Sequence, residues 1–439
     1  MSTMQRTQHS SEPSPRRRRR SRAVHARGAV AALSALTLLL VAGCGGGDSD
    51  KPAAADAAGS GTAAAGLLGP VDPASGAPVR IGLISDGKGP VSDLSIEGAV
   101  ANATVKYLNE HRGGLAGRPI ELVECDALAD PAKGTDCANR MVEEDVAAVL
   151  VGSSSVAEAI WEPLHEAHMP VMLAYAAGAP LKDTESTFAL TDTSYTINAL
   201  VQLAKSQGVK KVTIVAIDVP STMVVLRASA PKFNAVGIEL ESVPVPPGTA
   251  DMTPQMQGVA DGKPGLVQIV GNDAFCIAAM NGLRAVAYDG AITPISNCMS
   301  DKTRKAVPGD FLEGAVVPAM APIGADNPST KLYNTVATTY GKGIDTGRIA
   351  GMNMFMEVAA FEAAADGVTG DITGESIIKA IRAMPETELP AGGGLKFRCN
   401  SKAFPSLPAV CVRGWLTTTL DGSGNATEYK PVNATPIES

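Results

Sequence analysis

The chain has 439 residues, 45% of them hydrophobic and 19% charged, with a formal net charge of −8. Its length is too great for one small core and predicts two lobes. The acidic balance argues against binding nucleic acid or an anionic membrane surface through charge.

At the N-terminus, Arg16 to Arg20, Arg22 and Arg27 form a basic head, followed by an apolar stretch from Ala29 to Val41 that is short for a bilayer span. This order reads as an export signal. The small residues in Leu40-Val41-Ala42-Gly43-Cys44 resemble a bacterial lipobox, which implies removal of residues 1–43 and a lipid on Cys44. An uncleaved anchor or a leader cut elsewhere is the other reading. The arginine run also invites twin-arginine export, but the hydrophobic residues expected after the pair are missing. Eight arginines and one glutamate precede Cys44, so cleavage widens the acidic excess to 15 charges. From Gly45 to Pro78 the composition is Gly, Ala, Asp, Ser and Pro, which buries too little surface to offset ordering entropy. Residues 44–78 are therefore expected to be a flexible tether spanning about 30 Å.

Beyond the tether, short apolar runs alternate with helical spacing, the mark of parallel sheets with crossover helices. Strands are expected at 79–84, 120–123, 147–151, 170–174 and 188–190, with helices at 96–110 and about 154–168. The pattern then restarts near Tyr195: helix 197–205, strand 212–217, helix 223–233, and strands 266–270 and 292–296. After Val317 come two or three helices, notably 352–365 and 377–384, and a tail from Leu395 to Trp415 expected to be β-rich. The six cysteines after Cys44 fall in local pairs, Cys125 with Cys137, Cys276 with Cys298 and Cys399 with Cys411. Six thiols admit fifteen pairings; nearest neighbours are favoured because short loops cost least entropy to close, in an oxidising compartment.

Several segments in order resemble the type I periplasmic substrate-binding proteins of the leucine/isoleucine/valine-binding family. The most specific run is Gly98-Ala99 through Leu108-Asn109-Glu110, then Gly113-Gly114-Leu115-Ala116-Gly117-Arg118-Pro119-Ile120-Glu121-Leu122-Val123, with Asp130-Pro131 and Ala138-Asn139 beyond. Val151 to Ser155 and Tyr175 to Pro180 match the family's ligand loops. The resemblance implies two doubly wound parallel-sheet α/β lobes joined by three crossover strands. It places residues 79–195 and about 319–385 in the first lobe, and 196–318 and about 386–430 in the second. It also implies a non-enzymatic, monomeric receptor that delivers a small molecule to an ABC permease and ATPase. The same fold also serves sensory ectodomains, the alternative reading.

Independently of resemblance, the crevice outside the carboxyl ends of parallel strands collects ligands, because helix N-termini with unpaired N–H groups converge there. Ser153, Ser154 and Ser155 end one strand and open a helix, and so suit a carboxylate; one of them is also expected to cap that helix. Resemblance makes Ser154 the hydroxyl that holds the ligand and adds Tyr175, Ala176 and Gly178, the last two through backbone atoms. Ser85 and Asp86 belong to the same rim. Leu94 stands where amino-acid-binding members carry a tyrosine, and Gly271-Asn272-Asp273 replaces an aromatic in the second lobe. Asn297 occupies the stretch that lacks the acidic residue facing an ammonium, with Asp273 as its substitute. These departures argue against a branched-chain amino acid and leave an amino-acid-like solute, an amide or a carboxylate.

Enzymatic and cofactor motifs are wanting. His165-Glu166-Ala167-His168 lacks zinc-protease spacing, Gly87 to Ser92 lacks the third glycine of a dinucleotide loop, and no Gly-x-Ser-x-Gly elbow occurs. Met352, Met354 and Met356 read as core packing. No catalytic residue, metal or cofactor is expected.

Overall fold

The computed structural model describes residues 66–89, 93–322, 324 and 326–439. The leader, Cys44 and most of the expected tether lie outside them. The described end of that tether is not a free coil. Leu68 is buried, Asp72 N and Ala74 N donate to Glu110 O and Asn109 O at 2.9 and 2.7 Å, and His111 Nδ1 lies 3.1 Å from Pro70 O.

The first sheet holds β1 (Val79–Ser85), β2 (Ile120–Asp126), β3 (Val149–Val151), β4 (Val171–Ala176) and β5 (Thr187–Asp192) in the order β2-β1-β3-β4-β5, all parallel. Its strands alternate between two cores, as a pleat covered on both faces requires. Leu83, Leu150, Met172 and Phe188 enter one cluster, while Ile84, Val149, Val151, Leu173 and Ala189 enter the other. Helix α1 (Ile96–His111) fills the first face, and α2 (Pro131–Glu143) and α3 (Ala157–Glu166) the second. Between α1 and β2 the Gly113–Gly117 turn needs left-handed backbone: Gly114 has φ +68°, and a Cβ there would meet Arg118 O at 2.2 Å.

After Asp192 the chain enters α4 (Tyr195–Ser206) and builds a second parallel sheet: β6 (Lys211–Ile217), α5 (Pro220–Asn234), β7 (Glu239–Val245), α6 (Thr253–Asp261), β8 (Leu266–Val270), α7 (Asp273–Ala285) and β9 (Ala291–Pro294), in the order β7-β6-β8-β9. It too is two-faced, with Val212, Ile214 and Ala216 in one cluster and Val215, Val267 and Ile269 in another. The sequence reading passed over β7, α6 and α7. β7 is half-exposed at the sheet edge and lacks a continuous apolar run.

Two short helices, α8 (Asp301–Ala306) and α9 (Gly309–Leu312), lead to β10 (Val316–Ala319). Then follow α10 (Pro328–Tyr340), α11 (Ile349–Ala365), α12 (Gly374–Ala383), the small pair β11 (Thr387–Glu388) and β12 (Lys396–Phe397), β13 (Trp415–Thr419) and β14 (Lys430–Val432). β10 and β13 pair antiparallel and cross between the halves: Val317 and Leu420 pack with the second sheet, Ala319 and Leu416 with the first. With Asp192–Tyr195 they make the three crossovers. α11, buried almost all round, packs against α1 and carries Met352, Met354 and Met356 at 0–1% exposure, the core role read from sequence.

The tail departs from expectation. Residues 395–415 hold little regular strand, and Leu395, Phe397 and Val412 pack with the first sheet, whereas the sequence reading gave about 386–430 to the second lobe. The reason is a continuation of the sheet edge: Ala189 N donates to Ala409 O and Cys411 N to Ala189 O, both at 2.8 Å. All three nearest-neighbour disulfides are formed.

Candidate ligand-binding rims at the two switch points

In the first sheet the strand order reverses between β1 and β3, and in the second between β6 and β8, so crevices open beyond the carboxyl ends of those strands. Ser85-Asp86-Gly87 and Gly152 to Ser155 face each other at the first. Asp218 and Gly271-Asn272-Asp273 stand at the second.

At the first rim the serines already hold an anion, one supplied by the chain. Ser154 Oγ donates to Asp86 Oδ1 at 2.7 Å, while Ser155 N and Oγ donate to Asp86 Oδ2 at 3.0 and 3.1 Å. Asp86 is 2% exposed. In this arrangement the Ser154 hydroxyl expected to face a ligand carboxylate donates to Asp86 instead. Its oxygen also accepts from Val156 N at 3.1 Å, a turn just before the helix and not a cap: the N-cap position is Val156 itself, so the expected serine cap is not formed.

Beneath this loop sits Glu97 of α1, 1% exposed, which sequence reasoning missed. Ser85 Oγ donates to its Oε2 at 2.7 Å and Ser153 N to its Oε1 at 3.1 Å. Burial pushes its pKa up to about 7, opposed by those hydrogen bonds. Gly152 gives the carboxylate room: a Cβ there would meet Glu97 Oε2 at 2.6 Å. From α11, Glu357 is fully buried and, with no hydrogen bond of good geometry to either oxygen, is held well above the ordinary carboxyl range by burial and then by Glu97. Asn353, one turn earlier, has its amide within reach of Tyr175 and its Oδ1 unpaired. Two polar residues four apart in so apolar a helix were the available sequence signal.

Tyr175, next to last in β4, stacks on Tyr195 with ring centroids 6.3 Å apart; Tyr195 in turn reaches Ser296. This links the first rim, through the crossover, to the turn after β9. Burial raises both phenols, Tyr195 to about 12. Ala176 is buried; Gly178 is exposed with φ +69°, a position strained for other residues. Leu94, half-buried, closes its loop by donating its N–H to Gly87 O at 2.6 Å.

At the second rim Asn272 caps α7, its Oδ1 accepting from Phe275 N at 3.1 Å, with Asp273 beside it. Asn297 is exposed in the turn after β9. Cys276–Cys298, with Cα atoms 5.5 Å apart, ties these two segments together. No hydrogen bond or ion pair joins Asn272, Asp273 or Asn297 to Ser154 or Asp86 among the described residues. His165 stacks on Trp161 at 4.5 Å and His168 is exposed; no described group of acidic, histidine or cysteine residues could hold a metal.

The family model described as periplasmic binding protein matches residues 78–412. Compared by sequence with curated proteins, the chain finds no match. Among solved structures, it resembles an ABC transporter substrate-binding protein from Sphaerobacter thermophilus, with a TM-score of 0.67 and 18% identity over 81% of this chain and 98% of that one. A solute-binding protein from Rhodopseudomonas palustris HaA2, solved with p-hydroxybenzoic acid, gives 0.65 and 20% over 82% and 98%. A leucine-binding protein from Thermotoga maritima gives 0.60 and 18% over 81% and 97%.

Proposed function

Since the chain belongs to the periplasmic binding protein family, a family of extracytoplasmic solute-binding receptors and not of enzymes, we propose that it is held to the outer face of the cell membrane by lipid on Cys44. There it closes on a small polar solute and delivers it to the permease and ATPase of an ABC importer. The observation that carries this reading is the pair of switch-point rims, one per sheet, joined by three crossovers. A solute touching both rims favours the closed arrangement, and only such differential affinity shifts an open–closed equilibrium.

The first rim narrows the chemistry. With the Ser154 and Ser155 donors engaged by Asp86, the corner is acidic, and a solute meets it best with N–H or O–H donors. An amino-acid-like or amide solute suits this corner; a bare carboxylate meets like charge. Asn272, Asp273 and Asn297 supply the second grip. A thermal-shift screen of amino acids, amides, carboxylates and aromatic acids tests this. Amines or amides should raise the melting temperature by mass action, and a screen in which only acids without N–H donors do so overturns the assignment.

A further inference from the structure

A groove of about 870 Å³ opens elsewhere: none of the rim residues Ser85, Asp86, Ser154, Asn272 or Asp273 lines it, although Asp192 and Tyr195 of the first crossover do. One wall is a face of α4, through Asn198, Gln202 and Lys205, with Lys232 of α5 beside it. The other is the C-terminal segment, through Phe404, Arg413 and Trp415. Asn433 Nδ2 donates to Gln202 Oε1 at 2.9 Å and so bridges the walls.

Lys232 decides the chemistry. Among the described residues its ammonium donates only to neutral oxygens, Ser194 Oγ at 3.0 Å and Asn198 Oδ1 at 2.8 Å. Asp192, the acid whose charge reaches it, is engaged by Ser194, whose N–H donates at 2.7 Å. Half-burial lowers the pKa of this lysine, the mark of an under-compensated cation. Arg413, by contrast, is paired with Glu438 at 2.7 Å and donates to the carbonyls of Ala403 and Lys402. The groove therefore offers one partly desolvated positive charge, a second at Lys205, and aromatic surface, in a volume suited to a small organic molecule.

We propose that this groove is a second binding site, separate from the switch-point rims, for a small organic anion with a flat apolar body: its carboxylate pairs with Lys232 and its body lies along the Trp415 wall. Because the walls come from the α4–α5 layer and from the C-terminal segment, the anion bridges the same two parts that the Asn433–Gln202 hydrogen bond joins.

Benzoate is the probe, titrated calorimetrically into the full chain, with benzamide as the uncharged isostere. Benzoate should bind at one site, and Lys232→Gln should weaken it about tenfold or more, while Lys232→Arg stays within about threefold and benzamide binds about tenfold more weakly than benzoate. Equal binding of benzoate to Lys232→Gln, equal binding of benzamide, or no binding of benzoate at about 10 mM overturns the proposal. Should Lys232→Gln fail to fold, the benzamide comparison on the unaltered chain and the Lys232→Arg titration decide it.

Discussion

The Ser154–Asp86 hydrogen bond ends on a carboxylate that is almost wholly buried, and charge-assisted bonds of this kind contribute more than neutral ones. Ser154→Ala should lower the unfolding free energy by about 1.5–3 kcal/mol in a urea melt; an unchanged midpoint would mean that Ser155 holds Asp86 alone. Gly152→Ala should cost about 1–3 kcal/mol, because its Cβ meets the Glu97 carboxylate at 2.6 Å and Met354 Cε at 2.7 Å. Glu97 gives the chain a pH dependence whose sign follows from its raised pKa. Between about 4.5 and 7 the folded state binds a proton that the unfolded state has lost, so stability is full at the acid end of that window and falls as pH rises through it. The group's share is about 3 kcal/mol. Glu362, also raised to about 7 by burial, adds a slope of the same sign. Unfolding free energies measured from pH 5 to pH 8 should therefore fall, and Glu97→Gln should flatten part of that fall. An identical slope in the variant would place the titration elsewhere.

At the scale of elements, the second rim depends on the start of α7 being fixed to the turn after β9. Helix α7 begins with the Asn272 cap, and Cys276, one turn in, is bonded to Cys298 beside Asn297. Replacing both cysteines with serine should cost about 3 kcal/mol by the chain-entropy argument for a loop of this length. It should also weaken solute binding, since Asn272 and Asn297 lose their common anchor. A urea melt and a solute titration read the two effects separately, and loss of stability with unchanged affinity would remove the second rim from the site. Helices α1 and α11 form the complementary support under the first rim: one presents Glu97, the other Asn353 and Glu357, from faces packed against each other.

For the whole molecule, function as a receptor requires the two sheets to move relative to each other about three crossovers. A solute found in the screen should reduce the radius of gyration measured by small-angle scattering, and at a hundredfold its dissociation constant should add about 2.7 kcal/mol to stability. Stabilisation without compaction would mean binding to one lobe only. The C-terminal segment belongs to this mechanism as structure: Val410, Cys411 and Val412 are wholly buried and extend the edge of the first sheet at Ala189.

The sequence by itself determined most of the alternating strands and helices, the restart near Tyr195 and the loops that end β1, β3 and β8, and it favoured the nearest-neighbour cysteine pairs among fifteen. All of these follow from periodicity or from closure of short loops, properties carried by neighbouring residues. It left unread which polar groups face one another. Ser154 and Asp86 lie 68 residues apart and Ser153 and Glu97 lie 56 apart, and the tail reaches β5 across more than half the chain. Hydrogen-bond partners at such separations are chosen by the stacking of elements, so a serine that looked free for a ligand proved, once folded, to be holding the protein's own carboxylate.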